Sequence, residues 1–463
     1  MLNTDIPKAL IERVPLMKKE WLTLYRIMGE HPHAPKWNTE CGDRIFESDL
    51  EFVREYAGKL EQKRVEFRES PQESVLCRCE ELKHRSQWFE SKLSGINIRN
   101  DWHRVPVMTR SHMQSKLEWI VPSDADLSRL VVNPTSGTTG HPIPAPNHPS
   151  AVGCYDPLIQ YALKMNGLAT SCSGNKVAAI QVCSQQKTIV YHTVHSYLDG
   201  AGFAKINLEK NSWRTGESSA LYINDMKPVF LSGDPHSFLD YINRGIEYRP
   251  EAVLSTAISM ERIVRDKLQS YFKCPVVDMY SLNETGPIAY SCPHDPAKFH
   301  ILPHDIFVEV LSVSGEPVPE GERGEIAVTG GRNPYLPLLR YLTGDTASMS
   351  FKKCSCGEIS PALVNLEGRK LVLFRTKSGK IVNSIDISGI VRSFPVYTFT
   401  FIQRSDYRCT LKISAGGELT SRSAIFMKER IESLFDNEIK VEIENENILL
   451  KDKSIPFICE LEL

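Results

Sequence analysis

The sequence predicts an α/β protein: a large domain with parallel sheets and a β-rich part, preceded by helices and closed by a small α+β domain. Three observations carry this prediction. From about Leu127, short apolar runs such as KVAAIQVC, EAVLST and CPVVDMYS alternate with longer amphipathic segments such as SMERIVRDKLQSYF, the texture of parallel strands joined by crossover helices. After His300 the stretches IFVEVLSV and GEIAVTGG have period two and flank the turn-rich SGEPVPEGERG, as antiparallel strands do. From about Leu371, YTFTFIQR, RCTLKISA, SAIFMKERIESLF and KVEIENENILL suit two strands, a helix and a further strand of a small domain.

In chain order, residues 1–125 form a helical part of the large domain. LEFVREYAGKLEQKRVEFRES, for example, repeats apolar residues at three- and four-residue spacing. Its acidic and basic residues interleave, which is the pattern of a solvated helix face. Residues 126–369 complete the large domain, and 370–463 form the small one. A chain of 463 residues buries a large core and suits two or three domains.

A net charge of −2 argues against general nucleic-acid or membrane-surface binding. No apolar run approaches the roughly 20 residues of a membrane-spanning helix. The start MLNTDIPKALIERVPLMKKEW lacks the apolar stretch of a secretory signal, so a cytoplasmic location is expected. The 12 cysteines then read as buried thiols with one metal cluster rather than as a disulfide framework.

Chemistry concentrates in a few stretches. VVNPTSGTTGHPIPAPNHP follows a strand end and holds Thr135, Ser136, Gly137, Thr138, Thr139 and Gly140. Two glycines let successive N–H groups converge on an anion, and four hydroxyls add donors, so the loop reads as a phosphate cradle. It is not a Walker loop, because no Lys-Ser/Thr follows the second glycine. VVDMYSLNETGP runs a strand into Tyr280 and Ser281, with Glu284 before Gly286-Pro287. A ring and a carboxylate at a strand's carboxyl end stand where open α/β sheets bind ligands. LPLLRYLTGDTA sets Arg340 and Asp345 around a Thr-Gly turn, and LEGRK carries Arg369 at the junction before the last domain.

In this order and spacing the stretches TSGTTGHP, MYSLNETGP, SGEPVPEGERGEIAVTG, LRYLTGD and EGR resemble the adenylate-forming superfamily of acyl- and aryl-CoA ligases. The resemblance is strongest to the phenylacetate–CoA ligase branch and its capsular-polysaccharide-biosynthesis relatives. RVPVMTRSHM also looks like that branch's segment ahead of the phosphate loop. The resemblance implies ATP- and magnesium-dependent activation of a small carboxylic acid, an aromatic one included, with transfer to coenzyme A. An amine or a carrier-protein thiol is the alternative acceptor, and a non-catalytic nucleotide-binding protein the alternative class.

It also implies roles. Residues 135–140 hold the β- and γ-phosphates, and Glu284 binds magnesium, a hard cation suited to carboxylate oxygens. Tyr280 packs on adenine, with Ser255, Thr256 and Ala257 on the adenine side, although LSTAIS departs from the branch's usual Gly-Ala-Glu-Pro-type loop. Asp345 accepts from the ribose hydroxyls, and Arg369 meets phosphate or ribose. The mobile C-terminal lysine falls on Lys453, with Lys451 second, and Lys370-Leu371 replaces the usual polar hinge. Cys292, His300, Cys354 and Cys356 suit a closed structural zinc site, with His294 as the alternative to His300 for the fourth ligand. His192 and His195, beside Tyr191, Tyr197 and Phe203, fall in the substrate-side segment. The first 100 residues match the family less readily and are assigned to capping or homodimer formation.

Overall fold

A computed structural model describes residues 6–62, 70–134, 144–184, 188–303, 305–368, 372–391, 393–415, 419–445 and 457–461. Its centre is a twelve-stranded sheet. Five neighbouring strands run parallel, in the spatial order Val276–Leu282, Ala252–Ser255, Phe230–Gly233, Val177–Cys183 and Ala201–Asn207. Tyr191–His195 closes that edge antiparallel.

The apolar runs of the parallel strands have no polar alternation because both faces are covered. Ile180, Leu231 and Val253 pack with Phe238, Leu268 and Phe272 on one side. Their chain neighbours Ala179, Phe230, Ala252 and Leu254 pack with Leu158, Ala162, Val53 and Tyr56 on the other. Helices Pro235–Asn243 and Arg262–Phe272 supply the first cover, and Glu47–Gln62 and Tyr155–Met165 the second. The N-terminal helices are thus part of the large core, where Leu24 and Met28 of Lys19–Glu30 join the first side.

Beyond Val276–Leu282 the sheet turns antiparallel through Gly286–Ser291, Lys298–Ile301, Ala362–Glu367, Leu338–Ser350, Arg323–Gly330 and Ile306–Leu311. IFVEVLSV and GEIAVTGG pair across the predicted turn. The segment around RVPVMTRSHM is tied to this part, since Met108 exchanges backbone hydrogen bonds with Arg340 and Leu342.

Residues 372–461 have their own core. Strands Val396–Gln403, Cys409–Ala415, Val441–Asn445 and Phe457–Cys459 form one four-stranded sheet. Helix Ser421–Leu434 lays Met427 and Ile431, four apart and fully buried, beside Phe401 and Leu411. Each such side chain contributes about 1.5–3 kcal/mol of burial. Lys267 meets this domain through a 3.1 Å hydrogen bond from its ammonium to the Tyr397 hydroxyl. Among the described residues no helix is long and apolar enough to cross a membrane.

Candidate active site

A cavity of about 780 Å³ opens at the carboxyl ends of Ala252–Ser255 and Val276–Leu282, where the sheet changes from parallel to antiparallel. Ligands of α/β sheets bind at such ends. Ala257, Tyr280, Ser281, Glu284 and Asp345 all line it.

The turn that carries Glu284 is held from below. Arg332, buried, donates to the Thr285 and Pro287 carbonyls at 3.3 and 2.7 Å and pairs with Asp305 at 3.1 Å. Gly286 has φ +72°, and a Cβ there would lie 2.3 Å from the Tyr155 ring. Only glycine combines that backbone with that approach. Glu284 is 5% exposed, and its Oε1 accepts from the Tyr341 hydroxyl at 2.7 Å. Oε2 has no hydrogen-bond partner among the described residues. Asp345 follows Gly344, at φ +82°, in an irregular stretch of Leu338–Ser350. It accepts from the Tyr280 hydroxyl at 2.8 Å.

Of the three residues assigned to the adenine side, Ala257 alone lines the cavity. Ser255 is fully buried at its strand end, and the Thr256 N–H donates to the Gly233 carbonyl at 2.9 Å. Ala257 sits at φ +74°, a left-handed backbone that costs a residue with a Cβ roughly 1–2 kcal/mol. Ala257→Gly is therefore expected to raise the melting temperature by about 2 °C in scanning calorimetry. A fall would mean that the methyl group's packing outweighs the strain.

The structure adds residues that the sequence reading passed over. Asp278, 5% exposed, lines the cavity, and burial pushes its carboxyl up to about 6. Arg265 faces it at 3.9 Å and donates to the Val276 carbonyl at 2.6 Å. The available signal was one charge inside the apolar run PVVDMY. Arg110, at the first turn of helix Arg110–Ser115, lines the cavity as well.

Residues 135–140, Arg369, Lys451 and Lys453 lie outside the described residues, as do Lys370 and Leu371. The strands on either side of residues 135–143 are described: Val131–Pro134 pairs antiparallel with Pro144–Asn147. Asn147 accepts from Tyr155 at 3.4 Å and from Asn333 at 3.0 Å. Tyr155 is the ring packed on Gly286, so this strand pair is anchored beside the Glu284 turn.

Cys292, His300, Cys354 and Cys356 come together, with their ligand atoms all within 4.8 Å of one another. The Cys292 and Cys354 sulfurs are 3.5 Å apart, and Cys356 Sγ is 3.4 Å from His300 Nε2. Tetrahedral zinc at 2.3 Å from each sulfur would separate two sulfurs by about 3.8 Å, so the set fits that ion. His294 is not in the set; its N–H donates to Cys292 Sγ at 3.4 Å and its side of the hairpin lines the cavity. None of the 12 cysteines is in a disulfide.

Two further residues of the sequence reading are not at this cavity. His192 and His195 stand on the outermost strand, five strand spacings or roughly 24 Å from Val276–Leu282. His192 packs on Tyr25 and Trp37 at 4.5 and 4.7 Å between centroids. His195 stacks on Tyr197 and Phe203 at 4.8 and 5.5 Å. Burial pushes both imidazoles down to about 4, which leaves them neutral aromatic packing. Arg340 is a clamp rather than a ligand: 1% exposed, it holds Glu309 through two nitrogens and donates to the Val105 and Gly315 carbonyls at 2.7 and 2.8 Å.

No family model matches the chain. A phenylacetate-coenzyme A ligase of Thermus thermophilus is 26% identical over 166 residues, 33% of this chain and 37% of that protein. The match thus spans little more than a third of that relative's length. Protein CapK of Staphylococcus aureus is 20% identical over 333 residues, 67% of this chain and 70% of that protein. Among solved structures, a 2-hydroxyisobutyryl-CoA ligase in the postadenylation state, in complex with 2-HIB-AMP, shares the fold. The TM-score is 0.58 at 14% identity, covering 89% of this chain and 88% of that one.

Proposed function

We propose that the chain is an adenylate-forming ligase, as its likeness to the relatives above supports, and that it activates a carboxylic acid with ATP and passes the acyl group to coenzyme A. One observation carries this reading above the others. Tyr280 and Glu284, from one segment, and Asp345, from another 61 residues after Glu284, meet at a single cavity at the strand ends.

In the proposed reaction a substrate carboxylate oxygen attacks the α-phosphorus of ATP. The bond to the β-phosphate oxygen breaks, and pyrophosphate leaves. A thiol then attacks the acyl carbon and AMP departs. Negative charge gathers on phosphate oxygens, so the protein's work is to position and neutralise. Tyr280 and Ala257 flank the adenine, with Ser255 and Thr256 shaping the end of the neighbouring strand. Asp345, an acceptor-only group, holds the ribose hydroxyls. Glu284 would hold magnesium, which would supply positive charge to offset that on the phosphates. Residues 135–140 supply N–H and hydroxyl donors to the outer phosphates. Arg369 and Lys453 bring cations from the junction and the small domain. Zinc at Cys292, His300, Cys354 and Cys356 would be structural, since all four positions are protein ligands.

The test is ATP–pyrophosphate exchange across a panel of aliphatic and aromatic acids, followed by addition of coenzyme A. Acid-dependent exchange with a CoA-dependent thioester is the expected result. Exchange without that thioester moves the acceptor to an amine or a carrier thiol. ATP binding without exchange favours the non-catalytic reading.

A further inference from the structure

The cavity is built from two segments with the same internal spacing. Tyr280 precedes Glu284 by four residues, and Tyr341 precedes Asp345 by four. Their hydrogen bonds cross. Tyr280 of the first segment donates to Asp345 of the second at 2.8 Å, and Tyr341 of the second donates to Glu284 of the first at 2.7 Å. All four side chains are buried, Tyr341 completely.

We infer that Tyr341 is a positioning residue for the metal-binding carboxylate, orienting Glu284 through the hydrogen bond it donates. This rests on the nucleotide reading above. A hydroxyl-to-carboxylate bond is shortened and strengthened by the charge it meets, and the site's low dielectric strengthens it further. The bond at Oε1 restrains the rotation of the Glu284 carboxylate, and Oε2 accepts no hydrogen bond from a described residue. Without that hydroxyl the carboxylate must be oriented at the moment the ion binds, and the cost appears as weaker metal binding.

The experiment titrates magnesium against ATP binding by calorimetry in the full chain, without acid or acceptor, and records the melting temperature of each variant. Tyr341→Phe is expected to raise the half-saturating magnesium concentration about tenfold, the effect of one charge-assisted hydrogen bond, with saturation recovered at high magnesium. Tyr280→Phe acts on the other carboxylate. It is expected to weaken ATP binding while leaving the magnesium midpoint within about twofold, because that hydroxyl donates to Asp345 and not to Glu284. An unchanged magnesium midpoint in Tyr341→Phe, with or without a lower melting temperature, overturns the inference. So does an equal rise in both variants, which would mean general loosening. If the unsubstituted protein binds ATP with no magnesium dependence, the metal assignment of Glu284 fails and takes this inference with it. Intact magnesium dependence with no effect of Tyr341→Phe leaves the nucleotide reading standing.

Discussion

Glu284→Gln is expected to lower acid-dependent ATP–pyrophosphate exchange by about 10²–10³-fold, the loss seen when one charge-stabilising contact is taken from a reacting phosphate or oxyanion. The substitution separates charge from packing. Glutamine keeps the volume of glutamate, and its amide oxygen can still accept from the Tyr341 hydroxyl that now meets Oε1 at 2.7 Å. The turn beneath keeps its Arg332 donors to the Thr285 and Pro287 carbonyls. What is lost is the anionic oxygen for a hard divalent cation. The melting temperature should therefore change little while exchange collapses. Near-normal exchange at ordinary magnesium would remove Glu284 from the metal site.

Replacing Cys354 and Cys356 together by serine is expected to release about one equivalent of zinc and lower the melting temperature by roughly 5 °C or more. The four ligand atoms come from three segments. Cys292 follows the strand Gly286–Ser291, His300 stands on the strand paired with it, and Cys354 and Cys356 lie in the turn before Ala362–Glu367. An ion bound by all four ties that turn to the hairpin. Serine hydroxyls are far poorer zinc ligands, so the tie is lost while side-chain size is nearly kept. Acid preference should not change, because none of the four residues lines the cavity. Metal analysis and calorimetry on the same samples check this, and an unsubstituted protein without zinc ends the assignment.

Which parts were readable in advance follows from the range of the forces involved. The parallel strands were legible in KVAAIQVC, EAVLST and CPVVDMYS because burial on both faces removes polar residues from consecutive positions. Asp278 broke that rule inside VVDMYS and was overlooked, although a charge in a doubly covered strand is itself a signal. Motif order singled out Tyr280, Glu284 and Asp345, and all three line one cavity. Tyr341 was not, since its role lies in a partner 57 residues away in sequence. His192 and His195 looked functional by residue type, and the sheet set them on its far edge among Tyr25, Trp37, Tyr197 and Phe203.

By itself, then, the sequence determined the strand and helix texture, the change from parallel to antiparallel pairing, and the motifs whose Tyr280, Glu284 and Asp345 line one cavity. These depend on local backbone preference and on apolar periodicity, which operate over a few residues. The tertiary structure alone decided that His300 rather than His294 joins the three cysteines, that Arg340 clamps Glu309 instead of facing a ligand, and that two tyrosines cross to hold two carboxylates. Those choices turn on hydrogen bonds and ligand distances of about 3 Å between residues tens to hundreds of positions apart, and only a folded sheet brings such atoms to one point.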